Sequence, residues 1–262
     1  MKGHFMMSFL GRGDCSSKVG MVVVLGAAAL CLHASPAPCV NESLQAYESL
    51  GAAGCSIGGL VVNDFVFGPF GLSVPVSAQN IDVTIVTTKS SAELIVSSDS
   101  LQIQSGFANY ALAYNVVSPV NMLGFDVKIE KSIAVPPSET VVNPVVCIGA
   151  TYTLNNPPSP VLPNCAATNF GLTVFDDGIN PSLEKSIGFN DGARSLGVFD
   201  SIHLGIGSSQ LSSFSNTISV APGIPGIPEP GSVYLLLGAI LVVGVHRVVL
   251  KHRTRRHPAR AQ

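Results

Sequence analysis

The chain has 262 residues, of which 47% are hydrophobic and 11% are charged, so charge-driven disorder is excluded and one domain with a sizeable core is expected. The formal net charge is −2, but acidic and basic residues are distributed unevenly along the sequence. Residues 39–227 contain five lysines and arginines against fourteen aspartates and glutamates, a net charge of −9. Such an acidic segment repels phosphate backbones, and we therefore exclude nucleic acid as a partner.

The N-terminus has the parts of a secretory signal peptide. Lys2, Arg12 and Lys18 precede an apolar run over residues 19–32, and Ala34 is a small residue suited to the position before cleavage. We predict a signal peptide at residues 1–34, which directs export through the Sec translocon and is removed by signal peptidase. The rest of the domain then lies outside the cytoplasm.

Four cysteines remain after this cleavage, in an oxidising compartment. Three pairings are possible, and sequence spacing favours Cys39 with Cys55 and Cys147 with Cys165, because each pair closes a short local loop. In the chain-entropy model a loop of about 15 residues stabilises the fold by roughly 3 kcal/mol. The alternative is a zinc site, whose cysteines usually lie about two to four residues apart. These pairs are too widely spaced, so we predict no metal and no cofactor.

Residues 35–220 are predicted to form a domain with one short helix followed by many strands. Leu44, Tyr47 and Leu50 recur at helical spacing, and Gly51 can end the helix. Beyond Cys55, apolar residues cluster or alternate with polar ones in short segments that turn-forming residues separate. Strands are predicted at 60–62, 65–67, 81–87, 110–114, 125–133, 145–148, 171–175 and 198–204, and turns at 97–99, 118–119, 136–137, 155–160, 176–178 and 190–192. The predicted fold class is all-β, an antiparallel β-sandwich with a short N-terminal helix.

Few side chains of this domain suit catalysis. His203, its one histidine, lies in an alternating strand without a nucleophile motif, so we interpret it as an ordinary strand residue. Asp176 and Asp177 lack the ligand spacing of a calcium loop. We predict no catalytic residues and no enzyme activity. Tyr110 and Tyr114 share one face of a strand, which favours packing, with a sugar-stacking platform as the alternative.

The C-terminal segment combines an extended motif with an apolar stretch. Residues 221–231 are a proline- and glycine-rich spacer that contains Pro228, Glu229 and Pro230, and the prolines hold the residues before them extended. The stretch 232–250 would measure roughly 28 Å as a helix, nearly the thickness of a hydrocarbon core. We predict a transmembrane helix here.

A basic tail, residues 251–262, follows the apolar stretch and sets its orientation. The stop-transfer residues are Arg247, Lys251, Arg253, Arg255 and Arg256. The uninterrupted apolar run, residues 233–245, would also suit a buried core helix. The basic residues beside it favour a membrane span with the tail in the cytoplasm and the domain outside.

The order of Pro-Glu-Pro triplet, single helix and arginine-rich end resembles the C-terminal sorting signal of the PEP-CTERM proteins of Gram-negative bacteria. This resemblance implies processing near Pro228, Glu229 and Pro230 by an exosortase, a membrane-embedded cysteine transpeptidase-like enzyme. It also implies an environment of exported polysaccharide. Residues 39–65 resemble the N-terminal region of one group of these proteins, which brings no known activity.

The leading hypothesis is a non-enzymatic structural or adhesive protein, anchored in the inner membrane before processing and afterwards part of the cell envelope, surface or extracellular matrix. The alternative is a carbohydrate-binding module on the cell surface, with exopolysaccharide as its partner. A hydrolase, and a single-pass membrane protein without sorting, are further hypotheses.

Overall fold

The computed structural model describes residues 36–71, 73–153 and 164–222. The predicted signal peptide, the Pro228-Glu229-Pro230 motif, the stretch 232–250 and the basic tail lie outside these residues. The elements are β1 (Glu42–Ser43), α1 (Leu44–Ser49), β2 (Cys55–Ile57), β3 (Leu60–Pro69), β4 (Asp82–Thr87), β5 (Ser91–Ser97), β6 (Gln102–Ile103), β7 (Ala108–Ala134), β8 (Thr140–Ile148), β9 (Thr168–Gly171), β10 (Val174–Asp176), β11 (Glu184–Leu204) and β12 (Ser209–Val220). In this part of the chain no helix combines the length and apolar character that a bilayer crossing requires.

The twelve strands form one hydrogen-bonded antiparallel sheet that folds over on itself into two facing layers. Layer A contains β2, β3, the first half of β7, the second half of β11, β8, β9 and β10. Layer B contains β1, β4, β5, β6, β12, the second half of β7 and the first half of β11. The predicted all-β, antiparallel fold class and its short N-terminal helix are confirmed.

The two long strands, β7 and β11, cross from one layer to the other. β7 pairs with β3 as far as Val117 and with β12 from Met122 onward. β11 crosses the other way, with register shifts between Gly188 and Ser195. We call residues 117–123 of β7 and 189–195 of β11 the arches, and the end of the sandwich that they close the arch end. Both ends of β7 lie at the opposite end.

The core fills the space between the layers. Its largest fully buried side chains include Tyr47 of α1, Tyr114 and Phe125 of β7, and Phe214 of β12. Phe65 of β3 stacks on Tyr114 with 5.1 Å between ring centroids and meets the Tyr47 ring edge-on at 5.0 Å. Each of these aromatic pairs adds about 0.5–1.5 kcal/mol beyond its buried area.

Helix α1 closes one opening of the core. Its Ser43 cap accepts a hydrogen bond from the Ala46 N–H at 3.4 Å, and Leu44 and Tyr47, three residues apart, face inward. Glu48 accepts a 2.8 Å bond from the Phe67 N–H, which attaches the helix to β3. The Cys39–Cys55 disulfide, with 5.0 Å between Cα atoms, joins the segment before α1 to β2.

A smaller cluster covers the outer face of layer A near the arch end. Tyr152 lies directly over Gly197, and any Cβ at position 197 would overlap the Tyr152 ring. Asn115 holds this tyrosine through two backbone hydrogen bonds, accepting from its N–H at 2.8 Å and donating to its C=O at 2.9 Å. The Cys147–Cys165 disulfide closes the same segment. Both predicted disulfides are thus confirmed.

The predicted strands lie in β3, β4, β7, β8, β11 and the segment of β9 and β10, whereas β1, β2, β5, β6 and β12 were not predicted. Further differences concern two turns and one strand. The turn signals at 118–119 and 190–192 do not end strands, since both lie in the arches, where β7 and β11 change layers. The segment 171–175 was predicted as one strand. In the structure Leu172 and Thr173 are not part of a strand, so this segment is divided between the end of β9 and the start of β10. The turn-forming residues at 118–119 and 190–192 bend β7 and β11 instead of ending them.

Candidate functional site

A shallow depression of about 350 Å³ lies on the outer face of layer A, toward the end opposite the arches. Its walls come from three separate parts of the chain. The lining residues are Glu139, Val141, Asn143, Thr173, Phe175 and His203.

The strand pleat explains how these residues meet. Val142 and Val146 of β8 face the core, so the alternate residues Val141 and Asn143 face outward. His203 of β11 pairs directly with Val141, which brings its ring over β8. Phe175 comes from β10, which pairs with the other edge of β8. The depression therefore depends on the strand order β11-β8-β10.

His203 has a fixed hydrogen-bonding pattern. Its Nδ1 lies 2.6 Å from Oδ1 of Asn109, its cross-strand partner on β7. In this amide orientation the oxygen only accepts, so Nδ1 carries the hydrogen and Nε2 is an acceptor when the ring is neutral. Among the hydrogen bonds of the described residues, none joins His203 to a hydroxyl or carboxylate. The Asn109 bond fixes the orientation of the His203 ring beside the depression.

The chemistry of the depression suits a polar ligand with an apolar face. Asn143 can donate and accept, Thr173 offers a hydroxyl, Glu139 an acceptor and His203 a ring nitrogen, all beside the Phe175 ring. Alternating hydroxyls and C–H patches on a sugar ring match such a mixture of hydrogen-bonding groups and an aromatic surface.

A second depression, about 560 Å³ in volume, lies where β1 meets β4 and β5. It is almost entirely polar and contains two carboxylates, Glu42 and Asp82. The lining residues are Asn41, Glu42, Ser43, Gln79, Asp82, Val83, Thr84 and Ser97. The described residues contain no group of three or more His, Cys, Asp or Glu side chains placed to hold a metal ion.

A buried polar network lies at the centre of the sandwich. Asn216 of β12 donates from Nδ2 to the Tyr114 hydroxyl at 3.0 Å and to Oδ2 of Asp200 at 2.7 Å. Burial raises the pKa of Asp200 to about 7, although the Asn216 hydrogen bond acts in the opposite direction. Burial and the nearby Asp200 carboxyl also raise the pKa of Tyr114. All three side chains are buried, so a ligand in solution cannot contact them, and the network is part of the core.

Tyr110 and Tyr114 do not form a sugar-stacking platform. Only 1% of Tyr110 and none of Tyr114 is exposed, and Tyr110 stacks on Phe67 with its hydroxyl donating to the Val74 C=O at 3.0 Å. The packing interpretation is confirmed, and the alternative is wrong because both rings face the core.

Other sequence interpretations have simple structural outcomes. His203 is a partly exposed strand residue, as predicted. Asp177 is a turn residue, whose Oδ1 accepts from the Ile179 and Asn180 N–H groups, and these bonds lower its pKa. Sequence reasoning missed Asn109, Asn143 and the other residues around His203. No local signal marks them, because strand pairing alone brings them together.

No family model matches the chain. No curated protein matches it either. Among solved structures, it is similar to the enzymatically active domain of tailspike protein 4 of bacteriophage CBA120, with 12% identity, a TM-score of 0.28, and coverage of 60% of this chain and 19% of that one. It is also similar to TmCBM61, solved in complex with β-1,4-galactotriose, with 9% identity, a TM-score of 0.23, and coverage of 60% and 85%. At these TM-scores neither likeness carries an argument.

Proposed function

We propose that this chain is a non-enzymatic structural or adhesive protein of a Gram-negative cell envelope or extracellular matrix, sorted through its C-terminal Pro-Glu-Pro segment. After export it is anchored by the stretch 232–250, with the domain outside the inner membrane. An exosortase-type enzyme then processes it near Pro228-Glu229-Pro230.

The observation that carries this proposal is a disulfide-bonded β-sandwich whose last strand leads directly into the spacer. Two disulfides, Cys39–Cys55 and Cys147–Cys165, suit an oxidising compartment. β12 ends at Val220, and the sequence from 221 is rich in proline and glycine, which keeps a recognition motif extended and away from the domain. The acidic, low-charge composition of residues 39–227 also suits an exported structural role.

Intact-mass measurement of the mature protein tests the sorting step. In a host with an exosortase, we expect loss of the mass C-terminal to the motif, and in a host without it, the unprocessed tail. Glu229→Ala should leave the tail in place in both hosts, while Glu184→Ala, an exposed glutamate of the domain, should be processed like the native protein. An unprocessed native tail in both hosts would reject sorting.

The depression at His203 supports a second candidate function, carbohydrate binding at the cell surface. It gathers a carboxylate, an amide, a hydroxyl and an imidazole around Phe175, on the outer face of layer A. Exopolysaccharide of the producing cell is the ligand class that fits the exported location.

Pull-down on purified exopolysaccharide tests this alternative. We expect Asn143→Ala and His203→Ala to lose binding, because each removes a hydrogen-bonding group from the depression. Gln45→Ala, an exposed change on α1, should bind like the native protein, and circular dichroism checks that all three variants are folded. Equal binding by the three variants would place any carbohydrate site elsewhere.

A further inference from the structure

The first arch has several apolar side chains that are exposed to solvent. Val117, Val120 and Leu123 are 42%, 36% and 43% exposed, and Pro119 between them is exposed as well. Single exposed apolar residues are normal on a protein surface, but four within seven consecutive residues form a local strip. We call Val117, Pro119, Val120 and Leu123 the arch strip.

The chain leaves the domain beside this strip. The Val220 N–H donates to the Ser90 C=O at 2.8 Å, and the Ala221 N–H donates to the Asn121 C=O at 2.9 Å. Asn121 is part of the first arch. The start of the spacer is therefore bonded to the arch itself, at the opposite end of the sandwich from His203.

The spacer is short compared with the domain. Residues 223–231 span at most about 30 Å when fully extended. β12, which runs along the sandwich from one end to the other, has 12 residues and measures about 40 Å. An anchor that begins at residue 232 therefore holds the arch end, rather than the opposite end, close to the bilayer.

Basic side chains border the arch strip although the domain is acidic. Lys89 lies in the β4–β5 turn next to Ser90, and Nε of Arg194 donates to Oδ1 of Asn121 at 3.4 Å. Residues 39–227 contain only five lysines and arginines, and two of the five stand at this end. The acidic groups near this end are Asp191 of the second arch and Asp64, which accepts a hydrogen bond from Asn115. Cations beside an apolar strip match lipid phosphates above the acyl boundary.

We propose that the arch end is a lipid-contacting surface, on which the arch strip enters the bilayer interface and Lys89 and Arg194 meet the headgroup phosphates. The inference rests on the proposed anchor at 232–250 and goes beyond it, because it fixes how the domain stands on the membrane. Before processing, the depression at His203 then faces away from the lipid, toward the periplasm.

The chain contains no tryptophan, so a single introduced tryptophan is a sole fluorescent reporter of each position. Leu123→Trp reports on the arch strip, and Leu236→Trp reports on the predicted anchor. Ile206→Trp is the matched control, since Ile206 is 71% exposed in the turn before β12, at the end opposite the arches. Each full-length variant is reconstituted in vesicles of phosphatidylethanolamine and phosphatidylglycerol, with and without brominated phosphatidylcholine as quencher.

We expect blue-shifted, quenched emission from Leu123→Trp and Leu236→Trp, and red, unquenched emission from Ile206→Trp. If Leu236→Trp is quenched and Leu123→Trp is not, the anchor stands and the lipid-contacting surface is rejected. A blue shift of Leu123→Trp without quenching would show that a protein surface, such as a second copy of the chain, covers the strip. That result also overturns the proposal. Absence of quenching from Leu236→Trp would instead reject the anchor.

Discussion

Asp200 makes the stability of this domain depend on pH in a predictable direction. In the unfolded chain its carboxyl ionises near pH 3.8, whereas in the folded protein burial raises its pKa to about 7. Between these values the folded state binds the additional proton, so the free energy of unfolding falls as the pH rises. The contribution is fully present below about pH 4 and is lost as the pH passes through 7.

The size of this effect follows from the two pKa values. Each tenfold difference in proton affinity corresponds to about 1.4 kcal/mol, so the fall between pH 4 and pH 8 is about 4 kcal/mol. That is a large part of the total stability of a typical domain, about 5–15 kcal/mol. The buried carboxylate form is destabilised further because Oδ1 of Asp200 has no hydrogen-bond partner among the described residues.

Asp200→Asn tests the reasoning, because a neutral amide fills the same space and can still pair with Asn216. We expect urea unfolding of the mature chain, followed by far-ultraviolet circular dichroism from pH 4 to pH 8, to lose most of its pH dependence in this variant. Asp99→Asn, a change at an exposed turn position, should keep the native profile. A residual slope of the same sign is expected from Glu48 and Asp126, whose pKa values burial also raises. Parallel profiles for the native protein and Asp200→Asn would refute the assignment.

Two further predictions concern the outer cluster and the first disulfide. Gly197→Ala should destabilise the domain by about 1–3 kcal/mol, because the new methyl group displaces the Tyr152 ring. Gly171→Ala, at an exposed glycine with open space around it, should change the urea midpoint little, and equal effects of the two substitutions would contradict the packing of Tyr152 on Gly197. Replacing Cys39 and Cys55 together by serine should cost roughly 3 kcal/mol of unfolding free energy in urea, since it releases the loop that contains α1. A double variant as stable as the native protein would show that hydrogen bonds and core packing alone hold this segment.

Alternation of apolar and polar residues predicted β4 and the second half of β7, where one face is buried, but β5 was not predicted although its residues alternate between buried and half-buried positions. It failed for β12, which contains Leu211, Phe214 and Ile218 in the core but also buries Ser215 and Asn216. Register shifts between residues 211 and 214 interrupt its period of two. A serine-rich strand with a bulge and polar residues in the interior carries no periodic signal.

The candidate site was not predictable for a different reason. His203 was visible as the one histidine of the domain, and its strand position was correctly inferred. Its partner Asn109 is 94 residues away, and Asn143 and Phe175 come from two other strands. Such a set exists only once the strand order is fixed, and this order is set by long-range pairing that a single sequence does not display.

The position of β12 also determines how the domain carries mechanical load. β12 lies between β5 and β7, hydrogen-bonded on both sides. A tension that enters through Pro222 pulls along β12 and shears both ladders at once, so it cannot peel them one bond at a time as it would from an edge strand. The strand that receives a load from the C-terminal side is therefore braced by two ladders of backbone hydrogen bonds.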